Sequence, residues 1–294
     1  MDITNSIVNY RRFLKRRNYS DHSIRNYMNI LKHFVLWLDV PLEQAGNQKV
    51  LGYIDWLLNK RRKAKTINCH LACISGFYQH LNHEQDISVK NPVKRGYSLR
   101  LPSPLPRSVR TEDLDMFFKV IKTHRDRAMF KLMLRCGLRV EEVAFLQLST
   151  IDFRRHEILV QHGKGNKERI VYISTDAQDA LVDYLKVRPA GKAQRLFLVE
   201  KGPCRGTPIS VRGIQKRMEY YAGKARLKIS CHHLRHTMAT QLLNADAALS
   251  TIQDLLGHNW VTTTQRYCKV SNLKVQKDYY RAIQTVIERT TPQT

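Results

Sequence analysis

Acidic side chains and cysteines are scarce in this sequence of 294 residues. Asp and Glu number 25 against 50 Lys and Arg, which gives a formal charge of +25 at pH 7. The six cysteines form no CxxC pair and are too sparse for a disulfide framework. Cys69, His70 and Cys73 have a metal-binding composition, but no second ligand pair follows at zinc-like spacing. We therefore interpret them as part of a helix with buried thiols and expect no metal site.

Long apolar runs are missing as well. No run approaches the roughly 20 residues that a membrane-spanning helix needs. The amino terminus, MDITNSIVNYRRFLKRR, lacks the apolar middle of a signal peptide. Neither GxxxxGK[ST] nor GxGxxG occurs, so no nucleotide cofactor is implied. We expect a cytoplasmic protein that has no membrane contact and needs no cofactor.

The basic excess is spread along the whole chain. Residues 1–106 hold 17 basic and 7 acidic residues, and residues 107–294 hold 33 and 18. A charge this large exceeds what solubility requires, and its distribution is not that of a basic tail. The composition therefore indicates a polyanionic partner.

The first hundred residues have helical periodicity, and the chain is long enough for two domains. Apolar residues three and four apart predict helices in SDHSIRNYMNILKHFVLWL, capped by Ser20 or Asp21, and in KVLGYIDWLLNK and AKTINCHLACISGFYQHL. The segment KNPVKRGYSLRLPSPLPRSV supplies four prolines without a period, which is typical of an extended linker. We predict a helical domain over residues 1–93, a linker over 94–106 and a second domain over 107–294.

The second domain is predicted to be mainly helical with one small sheet. Thr111, followed by two acidic residues, is expected to cap its first helix, and a second helix over 124–136 is expected to end at Gly137. EILVQ and RIVYI flank HGKGNKE as a hairpin. Further helices are predicted at 177–187, about 210–225, 233–244, 251–256 and 273–287. The predicted fold class is therefore mainly α with a small β-sheet.

Four stretches of the second half concentrate side chains suited to phosphate chemistry: CGLRVEEV, HGKGNKER, HHLRHT and LLGHNWVTTTQRY. Two arginines can each donate paired hydrogen bonds to a phosphodiester as charge develops on its oxygens. The stretches lack the clustered acidic residues that hold two metal ions in most nucleases. A tyrosine is then the plausible nucleophile. The candidate catalytic residues are Arg139, Lys164, His232, Arg235, His258 and Tyr267.

These stretches resemble the motifs of the tyrosine recombinase family, which includes phage integrases and Xer-like enzymes. GLRVEE resembles its first arginine box, GKGNKER its lysine hairpin, HHLRH its H-x-x-R box and LGHNWVTTTQRY its final box. The likeness covers residues 107–270 strongly, and the amino-terminal bundle resembles the family's SAM-like core-binding domain more loosely. It implies a site-specific DNA recombinase that cuts and rejoins strands through a 3′-phosphotyrosyl intermediate, without metal or ATP.

The resemblance implies a division of labour among the candidate residues. Arg139 and Arg235 would hold the scissile phosphate, and Glu142 would support this arginine site rather than react.

The remaining four residues would transfer protons, bind a non-bridging phosphate oxygen or attack the phosphorus. Lys164 would protonate the leaving 5′ oxygen, and His232 would accept or relay the proton of the nucleophile. His258 would hydrogen-bond a non-bridging oxygen, and Tyr267 would form the covalent link.

A basic cluster, KRRKAK, occupies residues 60–65. Such a run is usually a solvated face. Next to a helix that starts near Thr66, it is also well placed for contacts with a DNA backbone. We favour the second interpretation, with Arg62, Lys63, Lys65 and Thr66 as DNA-binding residues.

The resemblance also implies an assembly. Two domains would close as a clamp around double-stranded DNA at a specific recombination site, and four protomers would join two duplexes. The helix at 273–287 would dock into a neighbour or pack in cis. Two alternatives stay open, a type IB topoisomerase and a catalytically inactive DNA-binding regulator of the same fold. The target sequence, the choice among integration, excision, resolution and transposition, and any accessory proteins are not specified by the sequence.

Overall fold

The computed structural model describes residues 2–84, 88–102, 108–161, 168–191, 193–257 and 279–280. The chain divides into two compact units, Met1–Ser103 and Pro104–Thr294, and each unit buries an apolar core of its own. Within the described ranges, no helix is both long enough and apolar enough to cross a membrane.

The first unit is helical. Its described residues form α1 (Ile3–Arg16), α2 (Asp21–Trp37), α3 (Asn47–Asn59) and α4 (Ala64–Glu84), and α4 packs against α1 and α2. Ser20 caps α2 by accepting a hydrogen bond from the Ser23 amide at 3.2 Å, which confirms one of the two predicted caps. The prediction contained no counterpart of α1, because its buried stripe is narrow and lies among basic residues.

The segment after α4 stays attached to the first unit. The Asn68 side chain donates to the Leu99 carbonyl at 2.9 Å and accepts from the Leu99 amide at 2.8 Å. Tyr97 and Leu99 also pack against the core. The residues assigned to the start of the linker are therefore fixed to this unit as far as Leu99.

The predicted thiol helix is α4, but its cysteines differ. Cys73 is buried, as predicted, whereas Cys69 is exposed, so the prediction of a buried thiol is wrong there. Cys69 lies on an exposed stripe of the helix together with Lys65 and Ala72, which are four positions before it and three after it. His70 bonds to the Tyr53 hydroxyl at 2.9 Å.

The described part of the second unit contains helices around a small sheet. The helices are α5 (Thr111–Lys119), α6 (His124–Arg135), α7 (Val140–Phe145), α8 (Thr175–Val187), α9 (Val211–Lys224), α10 (Cys231–Asn244) and α11 (Leu249–Leu256). The strands are β1 (Ile151–Asp152), β2 (Glu157–Val160) and β3 (Arg169–Tyr172), antiparallel in the order β1-β2-β3. The predicted hairpin is confirmed as β2 and β3, with Ile158 opposite Val171.

Several predicted helix starts differ from the structure by one or two residues, and two of these differences concern residues named in the prediction. Thr111 is the first residue of α5 and not its cap, because Arg110 occupies the cap position and no side chain caps the helix. α10 begins at Cys231, two residues before its predicted start, so His232 lies within the helix. Of the predicted helix at 273–287, only Tyr279 and Tyr280 are described; both are helical and exposed.

A buried charge network fixes α9 against α6. Asp126, at the start of α6, is fully buried and accepts hydrogen bonds from Arg125, Arg217 and Tyr221. A buried carboxylate requires such partners because desolvation of an unpaired charge is costly. The network matters for the site because α9 forms one wall of the cleft described below.

Candidate active site

Arg139 occupies the turn between α6 and α7. Gly137 makes this turn possible with a left-handed φ of 65°, which a side chain would strain. Arg139 then serves as the N-cap residue of α7, and its amide donates to Glu142 Oε2 at 2.8 Å. Its guanidinium donates to Glu142 Oε1 at 2.7 Å, and its side chain is 21% exposed. The turn thus leaves one guanidinium partly open to solvent while a carboxylate orients it.

Arg235 reaches the same place from α10, on the buried side. Its side chain is 2% exposed, and its guanidinium donates to the carbonyls of Gly137 and Leu256. Its Nη1 lies 4.0 Å from Glu142 Oε2. Two arginines that are distant in sequence therefore share one carboxylate.

The carboxyl end of α11 completes this arrangement. Arg139 Nη2 donates to the carbonyls of Leu256 and Gly257 at 3.2 and 3.3 Å. Gly257 ends the helix in the left-handed conformation, which favours glycine at a helix C-cap. Cations are favourable at a helix carboxyl end because its free carbonyls carry partial negative charge. The residue that follows this end in sequence is His258.

A third arginine, Arg169 at the start of β3, also binds here. Its Nη1 and Nη2 each donate to an oxygen of Glu142 at 2.8 Å, and its Nε donates to the Leu255 carbonyl at 2.8 Å. Its side chain is 10% exposed. Arg169 therefore joins the sheet to both α7 and α11.

Glu142 is the negative centre of this cluster. Burial by itself would raise its pKa, but the hydrogen bonds and charge of Arg169, together with Arg139, lower the pKa to about 2. The carboxylate is therefore ionised at neutral pH. Because one carboxylate faces three guanidinium groups, the site keeps a net positive charge that attracts an oxyanion.

A cleft of about 490 Å³ opens beside the two arginines. Its lining includes Arg139, His232 and Arg235, and residues of α9 form another wall. His232 is exposed, and its ring meets that of His236 edge to face, with 4.4 Å between centroids. Arg169 does not line the cleft. A phosphate entering the cleft would thus meet the guanidinium groups of Arg139 and Arg235 and an imidazole, while Glu141 and the ion pair of Arg212 with Glu219 also line its walls.

Three of the predicted catalytic residues lie outside the described residues. They are Lys164, His258 and Tyr267. Of this set, the structure brings Arg139, His232 and Arg235 together around one cleft, and Glu142 binds the two arginines without lining the cleft.

The predicted DNA-binding residues lie in the first unit, in the turn between α3 and α4 and in the first turn of α4. Arg62, Lys63, Lys65 and Thr66 are all exposed. The helix begins at Ala64, two residues before the predicted start. An exposed basic turn leading into a helix has the form of a phosphate-binding edge.

Arg169 was absent from the sequence prediction, although it ends the GKGNKER motif. A signal was present: Arg169 and the buried Val171 are two apart in a strand and therefore share a face. A charged residue on an inward face needs a partner, and this arginine donates to three acceptor atoms on two residues.

Comparison with known proteins gives this fold and site a family. The sequence model described as the phage integrase family matches residues 107–273, and the model of the phage integrase N-terminal SAM-like domain matches residues 7–85. The tyrosine recombinase XerC of Thermodesulfovibrio yellowstonii is 32% identical over 279 residues, which cover 90% of this chain and 91% of XerC.

Solved structures have the same fold. A lambda integrase (75–356) dimer bound to a COC′ core site matches with a TM-score of 0.75 and 17% identity, over 91% of this chain and 95% of that one. A lambda integrase tetramer bound to a Holliday junction matches with a TM-score of 0.74 and 16% identity, over 90% and 76%. The chain belongs to the phage integrase family. Its enzyme class is that of the site-specific tyrosine recombinases.

Proposed function

We propose that this recombinase cuts duplex DNA by attack of the Tyr267 hydroxyl on a phosphodiester held by Arg139 and Arg235. The observation that carries the proposal is the meeting of these two guanidinium groups. They come from the N-cap of α7 and from α10, share the Leu256 carbonyl and the Glu142 carboxylate, and line one cleft. Paired guanidinium groups match the oxygens of a phosphodiester and stabilise the charge that grows on them.

The reaction exchanges one phosphoester bond for another. The phenol oxygen forms a bond to phosphorus, the bond to the 5′ oxygen breaks, and a 3′-phosphotyrosyl link results. A phenol has an ordinary pKa of roughly 10, so it needs a proton acceptor near neutral pH. His232 takes that role, and Lys164 protonates the leaving 5′ oxygen. Reversal by a second 5′ hydroxyl rejoins the strand, and neither ATP nor a metal ion enters the balance.

His258 completes the proposed site by donating a hydrogen bond to a non-bridging oxygen. Its place in the sequence supports this role, because it follows Gly257, whose carbonyl accepts from Arg139. The donor would then stand next to the arginine pair without a long connecting segment.

The proposal extends to the whole chain. Residues 1–93 form the domain that binds the DNA backbone through Arg62, Lys63, Lys65 and Thr66, residues 94–106 connect it, and residues 107–294 form the catalytic domain. The substrate is double-stranded DNA at a specific recombination site. The lambda integrase tetramer on a Holliday junction supports assembly of four protomers during strand exchange.

The test is covalent trapping on a nicked suicide duplex, whose short 5′ fragment diffuses away after cleavage and leaves the protein attached. The duplexes are drawn from a library of random sequences, because the target sequence is not specified by the protein sequence. EDTA is present to remove metal ions, since the proposed reaction needs none. We expect the intact protein to form an adduct that resists denaturation. Tyr267→Phe should bind DNA as the intact protein does and form none.

Tyr279→Phe is the matched control, because Tyr279 is an exposed tyrosine close to Tyr267 in sequence. It should form the adduct at the normal rate. An adduct that persists in Tyr267→Phe and disappears in Tyr279→Phe would contradict the assignment of the nucleophile.

A further inference from the structure

Arg169 binds the cluster without facing the cleft. Its fork spans both oxygens of Glu142, its Nε binds the Leu255 carbonyl, and it is absent from the cleft lining. All three of its nitrogens already donate to protein acceptors. A third phosphate clamp would need donors directed at the cleft, so Arg169 must act through its partners.

From these contacts we infer that Arg169 is a positioning residue, which holds Glu142 and the carboxyl end of α11 so that Arg139 and Arg235 present their donors to the phosphate. The inference rests on the proposed function, because it concerns the same phosphate. It assigns a role to a residue outside the candidate catalytic set.

Glu142 is the first partner through which Arg169 acts. Its side chain is 4% exposed and faces Arg139 at 2.7 Å and Arg235 at 4.0 Å. A buried carboxylate with fewer partners would draw these two cations toward itself, away from a phosphate. The bidentate Arg169 fork occupies one lone pair on each Glu142 oxygen and so limits that pull.

The carboxyl end of α11 is the second partner. The carbonyls of Leu255, Leu256 and Gly257 accept, between them, from all three arginines. Arg169 is also close to the turn, because a Cβ added to Gly257 would lie 3.1 Å from Arg169 Cδ. The position of the helix end, from which the chain continues to His258, therefore depends on Arg169.

The experiment measures the suicide-duplex reaction in two steps, DNA affinity by fluorescence anisotropy and single-turnover cleavage at saturating protein. The variants are Arg169→Gln, which removes the charge, and Arg169→Lys, which keeps the charge without the fork. We expect Arg169→Gln to cleave on the order of 100-fold more slowly and to bind DNA within about threefold of the intact protein, since small misplacement of reacting groups costs about that much. The cleavage rate of Arg169→Lys should lie between those of the intact protein and Arg169→Gln.

The matched control is Arg188→Gln. Arg188 is also half-buried and donates to three carbonyls, of Ala193, Arg195 and Leu196, but it has no bond to the site. It should lower the thermal midpoint and leave the cleavage rate at saturation within about threefold. An equal loss of cleavage in both variants, at temperatures equally far below their midpoints, would overturn the inference.

A double-mutant cycle with Glu142→Gln tests the route of action. If Arg169 acts through Glu142, adding Arg169→Gln to Glu142→Gln should slow cleavage much less than it does in the intact protein. Independent, multiplicative losses would contradict the inference. Should Arg169→Gln fail to fold, Arg169→Lys serves in the same cycle, with the same two outcomes.

The cleavage reaction of the wild type distinguishes a failure of the proposed function from a failure of this inference alone. Absence of any adduct with the wild type would overturn the proposed function and this inference with it. A wild type that cleaves, together with Arg169 variants that cleave as fast, would overturn the inference alone.

Discussion

Glu142 is the carboxylate that faces the three arginines of the site, Arg139, Arg169 and Arg235. It accepts hydrogen bonds from Arg139 and Arg169, lies 4.0 Å from Arg235 and is almost fully buried. A carboxylate in this position is strongly stabilised while charged, which its lowered pKa expresses. Its effects on folding and on activity can therefore be measured separately.

The pH dependence of stability follows from this pKa. The folded pKa of about 2 lies below the ordinary value of 4.5, so the carboxylate stabilises the fold above pH 4.5 and loses that contribution as the pH falls toward 2. The shift corresponds to about 3 kcal/mol. We expect Glu142→Gln to lower the free energy of unfolding at pH 7 and to flatten its fall between pH 5 and 2, measured by urea denaturation.

Asp183→Asn is the control for this prediction. Asp183 is an exposed carboxylate paired with Lys186 on the surface of α8, where solvent screens the interaction. Its removal should leave the acid slope close to that of the intact protein. Equal slopes for Glu142→Gln and the intact protein would contradict the account.

At the scale of residues, the sequence and the family resemblance together supplied Arg139, His232 and Arg235, which line one cleft, and Glu142, which binds both arginines. Arg169 was not found because its partners are remote: Glu142 is 27 positions away and Leu255 is 86. Periodicity reports which face of an element is apolar, and it does not report which distant carboxylate a charge will meet.

At the scale of elements, local pattern was sufficient where elements are long or strongly alternating. The β2–β3 hairpin was predicted because two short segments rich in apolar residues, EILVQ and RIVYI, flank a glycine-containing stretch. The strand β1 has two residues and α7 has six, too few for any period to appear. Both exist because of tertiary contacts, β1 through pairing with β2 and α7 through packing on α6 and α9.

The end of α11 allows a test at this scale. Gly257 has a left-handed φ of 57°, and an added Cβ would lie 3.1 Å from Arg169 Cδ. We expect Gly257→Ala to lower the free energy of unfolding by about 1 kcal/mol or more, because alanine is strained in this conformation. The same change should slow single-turnover cleavage, since it displaces the helix end that three arginines bind.

Gly223→Ala provides a control of opposite sign. Gly223 lies within α9, and nothing stands within 4 Å of an added Cβ. Alanine there should raise the free energy of unfolding by about 0.5–1 kcal/mol, because glycine is a poor helix former. Thermal and urea denaturation check both variants, and a stabilised Gly257→Ala protein would contradict the described turn.

At the scale of the whole molecule, helical periodicity and the proline-rich segment predicted two domains, and the structure has two units that each bury an apolar core. The attachment of the chain at Leu99 was not predicted, because it depends on two hydrogen bonds with the side chain of Asn68, 31 positions earlier. Proline-rich segments look extended in sequence whether or not they adhere to a neighbouring surface.

The basic turn between α3 and α4 leads to a prediction about DNA binding. Each phosphate that a basic side chain neutralises releases condensed counterions, so affinity falls steeply with salt. Replacing Arg62, Lys63 and Lys65 with glutamine should weaken binding to all duplexes similarly. It should also reduce the slope of log affinity against log salt by about 0.9 for each phosphate that is no longer neutralised. Fluorescence anisotropy between low and moderate salt measures both quantities.

Lys49→Gln is the matched control, because Lys49 is a lysine of the same unit paired with Asp39. Its slope should equal that of the intact protein. If the triple variant and Lys49→Gln show the same slope as the intact protein, the basic turn does not contact DNA.

The central claim is that one tyrosine hydroxyl becomes the nucleophile at a phosphate held by Arg139 and Arg235. The most direct measurement is peptide mapping of the covalent protein–DNA adduct by mass spectrometry after protease and nuclease digestion. The account predicts a nucleotide mass on the peptide containing Tyr267, and no such mass when Arg235 is replaced by alanine. A nucleotide on any other residue would contradict it.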